Sequence, residues 1–186
     1  LENKYKFKYA ITYPIMEMSL KNLENKCYQE HKVGLPKITG HFSGNSKALN
    51  FEELEVKKIR GKDDVLNVWC KHVCEIYKSD LHEFKKYIHL LIDHSQFYLG
   101  YLGDKIVGTS MTVESFNLLH LHWVGVYEEF RKKGFGDALS RFPLTNVQGK
   151  SIEKCTLYAS ALGESVYKKI GFVHSQNVDI FISSQA

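Results

Sequence analysis

The stretch from His120 to Gly136 constrains the fold of this chain more than any other. His120-Leu-His-Trp-Val-Gly-Val126 is apolar and β-branched enough for a buried strand, apart from two histidines spaced two apart. Arg131-Lys-Lys-Gly-Phe-Gly136 follows, and Asp137-Ala-Leu139 reads as the start of a helix. A basic, glycine-bearing turn between strand and helix leaves successive backbone N–H groups free at the positive end of a helix dipole. That arrangement suits a phosphate or pyrophosphate. Glycine lets the backbone approach such a ligand and take positive φ.

The flanking pattern extends this unit into a sheet covered by helices. Leu54–Arg60 alternates as a strand, and Asp63 or Asp64 caps a helix running to about Lys78. Ser79 or Asp80 starts a second helix, with Leu81, Phe84, Ile88, Leu91 and Ile92 at helical spacing. Phe97–Leu102 and Ile106–Val113 form a hairpin around Gly103-Asp-Lys105. A helix from about Gly134 to Val147 contains Pro143, which should kink or shorten it, and Gly149 ends the segment. Cys155–Ala159 is the next strand, Leu162–Ile170 a short helix stopped by Gly171, and Val173 with Val178–Ile182 completes the sheet. The connection from the His120 strand through its helix to the Cys155 strand is a βαβ crossover, so these strands should be parallel. The fold class is α/β, a mixed sheet with helices on both faces.

The N-terminus reads differently. Tyr5, Phe7 and Tyr9 alternate with lysines, and Ile15, Met16, Met18 and Leu20 follow Pro14, as in two short extended pieces or a charged edge strand. Gly34–Asn50 is rich in Gly, Ser, Asn and Lys and marks a linker. The expected division is residues 1–50 as an N-terminal extension and 51–186 as the main domain.

Cys27, Cys70, Cys74 and Cys155 lack zinc-ribbon spacing. Cys70 and Cys74, one helical turn apart, offer half a metal site without a second pair, so they are read as core residues and no metal is expected. His72, His82, His89 and His94 belong to no ligand set and are assigned to surface or half-buried positions. Free thiols point to a reducing compartment, most simply the cytoplasm. A net charge of +4 gives little drive towards nucleic acid or membrane. No apolar run approaches the length that crosses a bilayer, and no signal-peptide pattern is visible. Because the sequence opens on Leu1, a trimmed chain is expected and an upstream segment stays open.

Two stretches together resemble the GNAT superfamily of acetyl-CoA-dependent N-acetyltransferases. One is Val124-Gly-Val126 with Arg131-Lys-Lys-Gly134-Phe-Gly136, similar to the family's Arg/Gln-x-x-Gly-x-Gly/Ala signature. The other is Leu157-Tyr-Ala-Ser160 with Gly163 and Val166-Tyr-Lys-Lys-Ile-Gly-Phe172, where a helix bearing a tyrosine ends in Gly-Phe. The resemblance implies the GNAT fold, acetyl-CoA as co-substrate and transfer of its acetyl group to a primary amine of a small molecule, peptide or protein. It leaves a homodimer open.

The same resemblance implies roles. Backbone N–H groups from Lys132 to Asp137, through Lys133, Gly134, Phe135 and Gly136, hold the pyrophosphate. Arg131, Lys132 and Lys133 add positive charge. Val124, Gly125 and Val126 pair with the pantetheine arm as an added strand. Tyr167 is the expected general acid for the leaving thiolate. His120 and His122 face one side of their strand and suit a general base titrating near neutrality, with Glu114 in reserve. Arylalkylamine N-acetyltransferases carry a similar His-Leu-His before the turn. Ser160 is expected near the pantetheine, and Ser160 and Ser165 stand where many members have asparagine. Trp69, Tyr77, Phe116 and Trp123 are candidates for an acceptor pocket or for core packing. The alternative is a GNAT-fold module that binds acyl-CoA without turnover.

Overall fold

The structure, a computed structural model, describes residues 7–20, 54–145 and 151–183. Cys27, the Gly34–Asn50 linker, Val147 and Gly149 lie outside the described residues. The strands are β1 (Phe7–Ser19), β2 (Leu54–Ile59), β3 (Ser95–Leu102), β4 (Lys105–Ser115), β5 (Leu118–Val126), β6 (Lys154–Tyr158) and β7 (Val173–Ser183). The helices are α1 (residues 62–77, with a π-helical turn at Val65–Trp69), α2 (Leu81–Leu91), α3 (Phe135–Thr145) and α4 (Glu164–Ile170). All seven strands form one sheet in the order β2-β3-β4-β5-β6-β1-β7.

The alternation along each strand decides which helices it meets. On one face Phe97, Leu99 and Met111 pack with Val65, Trp69, Val73, Phe84 and Ile88 of α1 and α2. On the other, Leu119, Leu121, Leu157, Met16 and Met18 pack with Leu144 of α3 and Tyr167 and Ile170 of α4. Asp80 caps α2 by accepting from the Glu83 N–H at 2.8 Å, as its sequence position implies. Gly171, at φ 117°, closes α4 in the left-handed conformation that favours glycine. β5 and β6 are parallel from Leu118/Lys154 to Leu121/Leu157, the geometry expected of the α3 crossover. Pro143 lies inside α3, whose described part runs to Thr145.

The N-terminal strand is the main correction. It is one 13-residue strand, not two pieces, and it lies inside the sheet. Ile15–Ser19 pairs antiparallel with β6, while Phe7–Glu17 pairs with β7. The physical reason is Met16 and Met18, at 0% and 7% exposure, whose side chains complete the core under α3 and α4. Of the lysine alternation that suggests an edge, Lys4, Tyr5 and Lys6 lie outside the described residues, and the described part from Phe7 to Tyr13 outruns β6 and pairs with β7 alone. Pro14, with no N–H to donate, sits where β6 pairing stops, although its carbonyl accepts from Ala159 N at 2.9 Å.

Candidate functional site

The site is built where β5 breaks step with both neighbours. Pairing with β6 ends at Leu121, and on the other side the register with β4 shifts between Thr109/Gly125 and Met111/His122. The extra residue is a β-bulge at Trp123, whose φ is +51°. Thr109 Oγ1 donates to the Trp123 carbonyl at 3.0 Å and holds it there. The bulge changes parity. His122 and Gly125 are three apart and would normally face opposite sides, yet both face α1 and α2, while Val124 and Val126 turn into the core under α3. Nothing in the local sequence marks Trp123 for positive φ, since only glycine, asparagine or aspartate would advertise it.

The turn after β5 has the backbone a phosphate cradle needs. Lys132 and Gly134 have φ of +61° and +83°, and α3 begins at Phe135, its first hydrogen bond running from Ala138 N to Gly134 O. The N–H groups of the first helical turn therefore have no intrahelical acceptor. Arg131, Lys132, Lys133 and Gly134 are exposed, and Phe135 is buried as an anchor in the core. Arg131 Nε donates to the Val126 carbonyl at 3.1 Å. Lys105 and Lys133 lie over the Phe130 ring at 5.8 and 5.4 Å. Asp137 is paired with Arg141 at 2.8 Å, so its carboxylate is neutralised by its own helix. A Cβ built on Gly136 meets only Val126 Cγ2, at 4.0 Å, leaving room for a bulky anion at the helix N-terminus. These residues fit a pyrophosphate.

The expected rail is partly engaged by the protein itself. Tyr77 Oη, at the end of α1, donates to the Val124 carbonyl at 2.8 Å, and Arg131 takes that of Val126. Gly125 has a packing reason to be glycine: a Cβ there would stand 2.8 Å from Ile76 Cγ2 and 2.9 Å from Tyr77 Cε2. Burial pushes the Tyr77 phenol well above its ordinary pKa, with Tyr167, Arg131 and Tyr13 close enough to act on it electrostatically.

His120 and His122 lie side by side on the α1/α2 face, ring centroids 6.1 Å apart. His120 Nδ1 is 2.6 Å from Thr156 Oγ1 of β6, and the His122 ring is 6.3 Å from that of Tyr158. Burial lowers the pKa of both, and His122, further lowered by His120, reaches about 4. Both rings are therefore neutral at physiological pH. Glu114 pairs with Leu119 in register, on the opposite face from the histidines, and accepts from Gln96 Nε2 at 3.0 Å.

Tyr167 is buried in the core beneath β6, and burial raises its phenol to about 12. Its ring lies against Gly163, where an added Cβ would be 2.8 Å from Tyr167 Cε2 and 3.3 Å from Ser160 Oγ. Ser160 Oγ accepts from Gly163 N at 3.2 Å, and Ser165 is exposed. Of the aromatic candidates, Trp69 is core, its Nε1 donating to the Tyr98 and Ser110 carbonyls at 3.2 Å. Phe116 is fully exposed at the β4–β5 turn, while Trp123 packs on Tyr77 and Phe84 at 5.2 and 4.9 Å.

Cys70 and Cys74 are core residues of the α1/α2 face, with burial raising both thiols. His82, His89 and His94 are exposed. His72 is half-buried, its Nδ1 2.6 Å from Tyr127 Oη, which also donates to Glu75, a network that spacing alone did not reveal.

With this geometry in view, the acetyltransferase (GNAT) domain family matches residues 62–181, well over half of the sequence. The chain belongs to the GNAT family. Acetyl-CoA is that family's acetyl donor, and one structural neighbour carries it: a predicted acetyltransferase from Clostridium acetobutylicum with acetyl-CoA, at 18% identity and TM-score 0.54, covering 66% of this chain and 92% of that one. A GCN5-related N-acetyltransferase from Kribbella flavida superposes at TM-score 0.60 with 10% identity, over 97% of this chain and 61% of its own. A functionally unknown conserved protein from Staphylococcus epidermidis ATCC 12228 does so at 0.61 with 13% identity, over 95% and 63%. The chain thus spans about three fifths of the length of these last two. At such identities the likenesses show the fold. No curated protein matches the sequence. Among the described residues no helix is long and apolar enough to cross a membrane.

Proposed function

We propose that this GNAT domain is an N-acetyltransferase that moves the acetyl group of acetyl-CoA directly to a primary amine. The observation that carries the reading is the Arg131–Gly136 turn, left-handed at Lys132 and Gly134 and open at Gly136, set where β5 parts from β6. Backbone N–H groups from Lys132 to Asp137 hold the pyrophosphate, and Arg131, Lys132 and Lys133 attract it. The backbone of Val124, Gly125 and Val126 guides the pantetheine arm, with Tyr77 and Arg131 yielding or sharing the carbonyls they now cap.

Acetyl-CoA supplies an activated acetyl group, whose C–S bond breaks as the C–N bond forms. The acceptor must present a neutral nitrogen, and the neutral imidazoles of His120 and His122 take the proton it loses. In the tautomer that donates Nδ1–H to Thr156 Oγ1, the His120 ring is held with Nε2 free for that proton. Tyr167, protonated at all physiological pH, returns a proton to the sulfur. Ser160 lines the approach to Tyr167.

Two measurements test this. Acetyl-CoA must raise the melting temperature, and its failure to do so refutes the phosphate cradle. A panel of amines with acetyl-CoA, read by free-thiol release, must show turnover that the His120→Ala/His122→Ala double variant loses. Binding without release for any amine favours a non-catalytic acyl-CoA-binding module instead.

A further inference from the structure

The insertion of β1 between β6 and β7 has a chemical result on the histidine face. Register places His120 of β5 beside Thr156 of β6, and Thr156 beside Glu17 of β1. These three residues form one row on the face towards α1 and α2, because their sequence neighbours Leu119, Leu121, Cys155, Leu157, Met16 and Met18 all occupy the opposite core. In the adjacent row Tyr158 stands beside Ile15. Two strand spacings put Glu17 on the order of 10 Å from His120, too far to partner a nitrogen held at the imidazoles.

We infer that Glu17 is the anchor for a second positive charge on the acceptor, so that the preferred substrate class is an aliphatic diamine. The inference rests on the proposed amine acetylation. One end of the face is uncharged, with both imidazoles neutral, and receives the reacting nitrogen in its free-base form. The other end carries a carboxylate and receives an ammonium. Thr156 stands between them in the row, and beside it Tyr158, 52% exposed, and Ile15 of the adjacent row offer apolar surface for a methylene chain. The carboxylate already accepts an alkylammonium: Lys154 Nζ lies 3.6 Å from Glu17 Oε1. Their side chains are 51% and 35% exposed, and so loose and solvated a pair yields readily to a competing ammonium.

The test compares heptamethylenediamine, whose nitrogens lie about 10 Å apart when extended, matching two strand spacings, with heptylamine, which lacks the second cation. The wild-type protein should show a kcat/KM about tenfold higher for the diamine, a charged hydrogen bond's worth of discrimination. Glu17→Gln, nearly isosteric, should reduce that ratio to near one through KM for the diamine. Lys154→Met, which removes the internal competitor, should lower KM for the diamine. A purely structural Glu17–Lys154 pair predicts no such gain. A wild-type ratio near one, a ratio retained in Glu17→Gln, or a raised diamine KM in Lys154→Met overturns the inference. If no amine is turned over while acetyl-CoA still stabilises the protein, the acetylation reading fails by itself. Calorimetric titration of the diamine onto the acetyl-CoA-bound protein then decides the role of Glu17: the dissociation constant must rise about tenfold in Glu17→Gln, and an unchanged value refutes it.

Discussion

Gly125 and Gly136 stand eleven residues apart in the same strand–turn–helix unit, and adding one methyl to each should have opposite effects. At Gly125 the new Cβ would lie 2.8 Å from Ile76 Cγ2 and 2.9 Å from Tyr77 Cε2, against an ordinary carbon–carbon separation of about 3.5–4.0 Å. The end of α1 must therefore move by most of an ångström, carrying Tyr77 away from the Val124 carbonyl. Overpacking of this kind costs about 1–3 kcal/mol, and loss of the Tyr77 hydrogen bond adds about 1. At Gly136 the new Cβ meets nothing nearer than 4.0 Å. Within a helix, Gly→Ala gains up to about 1 kcal/mol from the unfolded chain. Urea denaturation should then place Gly125→Ala about 2–4 kcal/mol below the wild type and Gly136→Ala level with it or above. Thermal shift with acetyl-CoA should separate strand from turn: Gly125→Ala keeps a ligand-induced rise, as does Gly136→Ala, since the family signature admits alanine there, while Gly136→Glu, which puts a carboxylate into the anion's space, loses most of it. A Gly136→Glu protein that binds acetyl-CoA normally would refute the cradle, and a Gly125→Ala protein of wild-type stability would refute the packing of α1 on β5.

Tyr167→Phe keeps the ring against Gly163 and removes only the proton donor, so thiol release should fall about 100-fold or more with little change in acetyl-CoA binding; unchanged turnover rules Tyr167 out as the acid. His122 makes stability depend on pH below neutrality. Its folded pKa of about 4 lies below the unfolded value of 6.5, so the unfolded chain takes up the proton first. Stability should be level above about pH 6.5 and fall by roughly 2–3 kcal/mol towards pH 4, and His122→Gln should flatten that part of the urea-derived curve. Met16→Ala should cost about 2–5 kcal/mol, because the side chain is fully buried in an interior strand; a loss under about 1 would show that β1 is not needed to fill the core.

Much of this architecture was legible along the chain because it is local. The period-2 and period-3.6 patterns placed six strands and four helices close to their observed bounds. Asp80 and Gly171 marked helix ends by cap chemistry that operates within one turn. The Arg131–Gly136 turn was readable for the same reason, since basic residues, glycines and a helix start follow one another directly. His120 and His122 were correctly put on one face, a consequence of strand geometry alone.

What the sequence could not decide are pairings between distant residues. β1 reads as an edge when its lysines are weighed, and becomes interior only because Met16 and Met18 find the core left open between β6 and β7. That choice alone brings Glu17 into line with Thr156 and His120. The bulge at Trp123 is likewise invisible, as it arises from the mismatch of β5 with β4 and is held by Thr109. Tyr77 reaches the Val124 carbonyl because α1 crosses β5 at Gly125, and Glu114 is removed from the histidines by falling on the other side of the sheet. Local periodicity determines which way each side chain points, whereas only the register between strands, set by burying the apolar rows together, determines which of them meet.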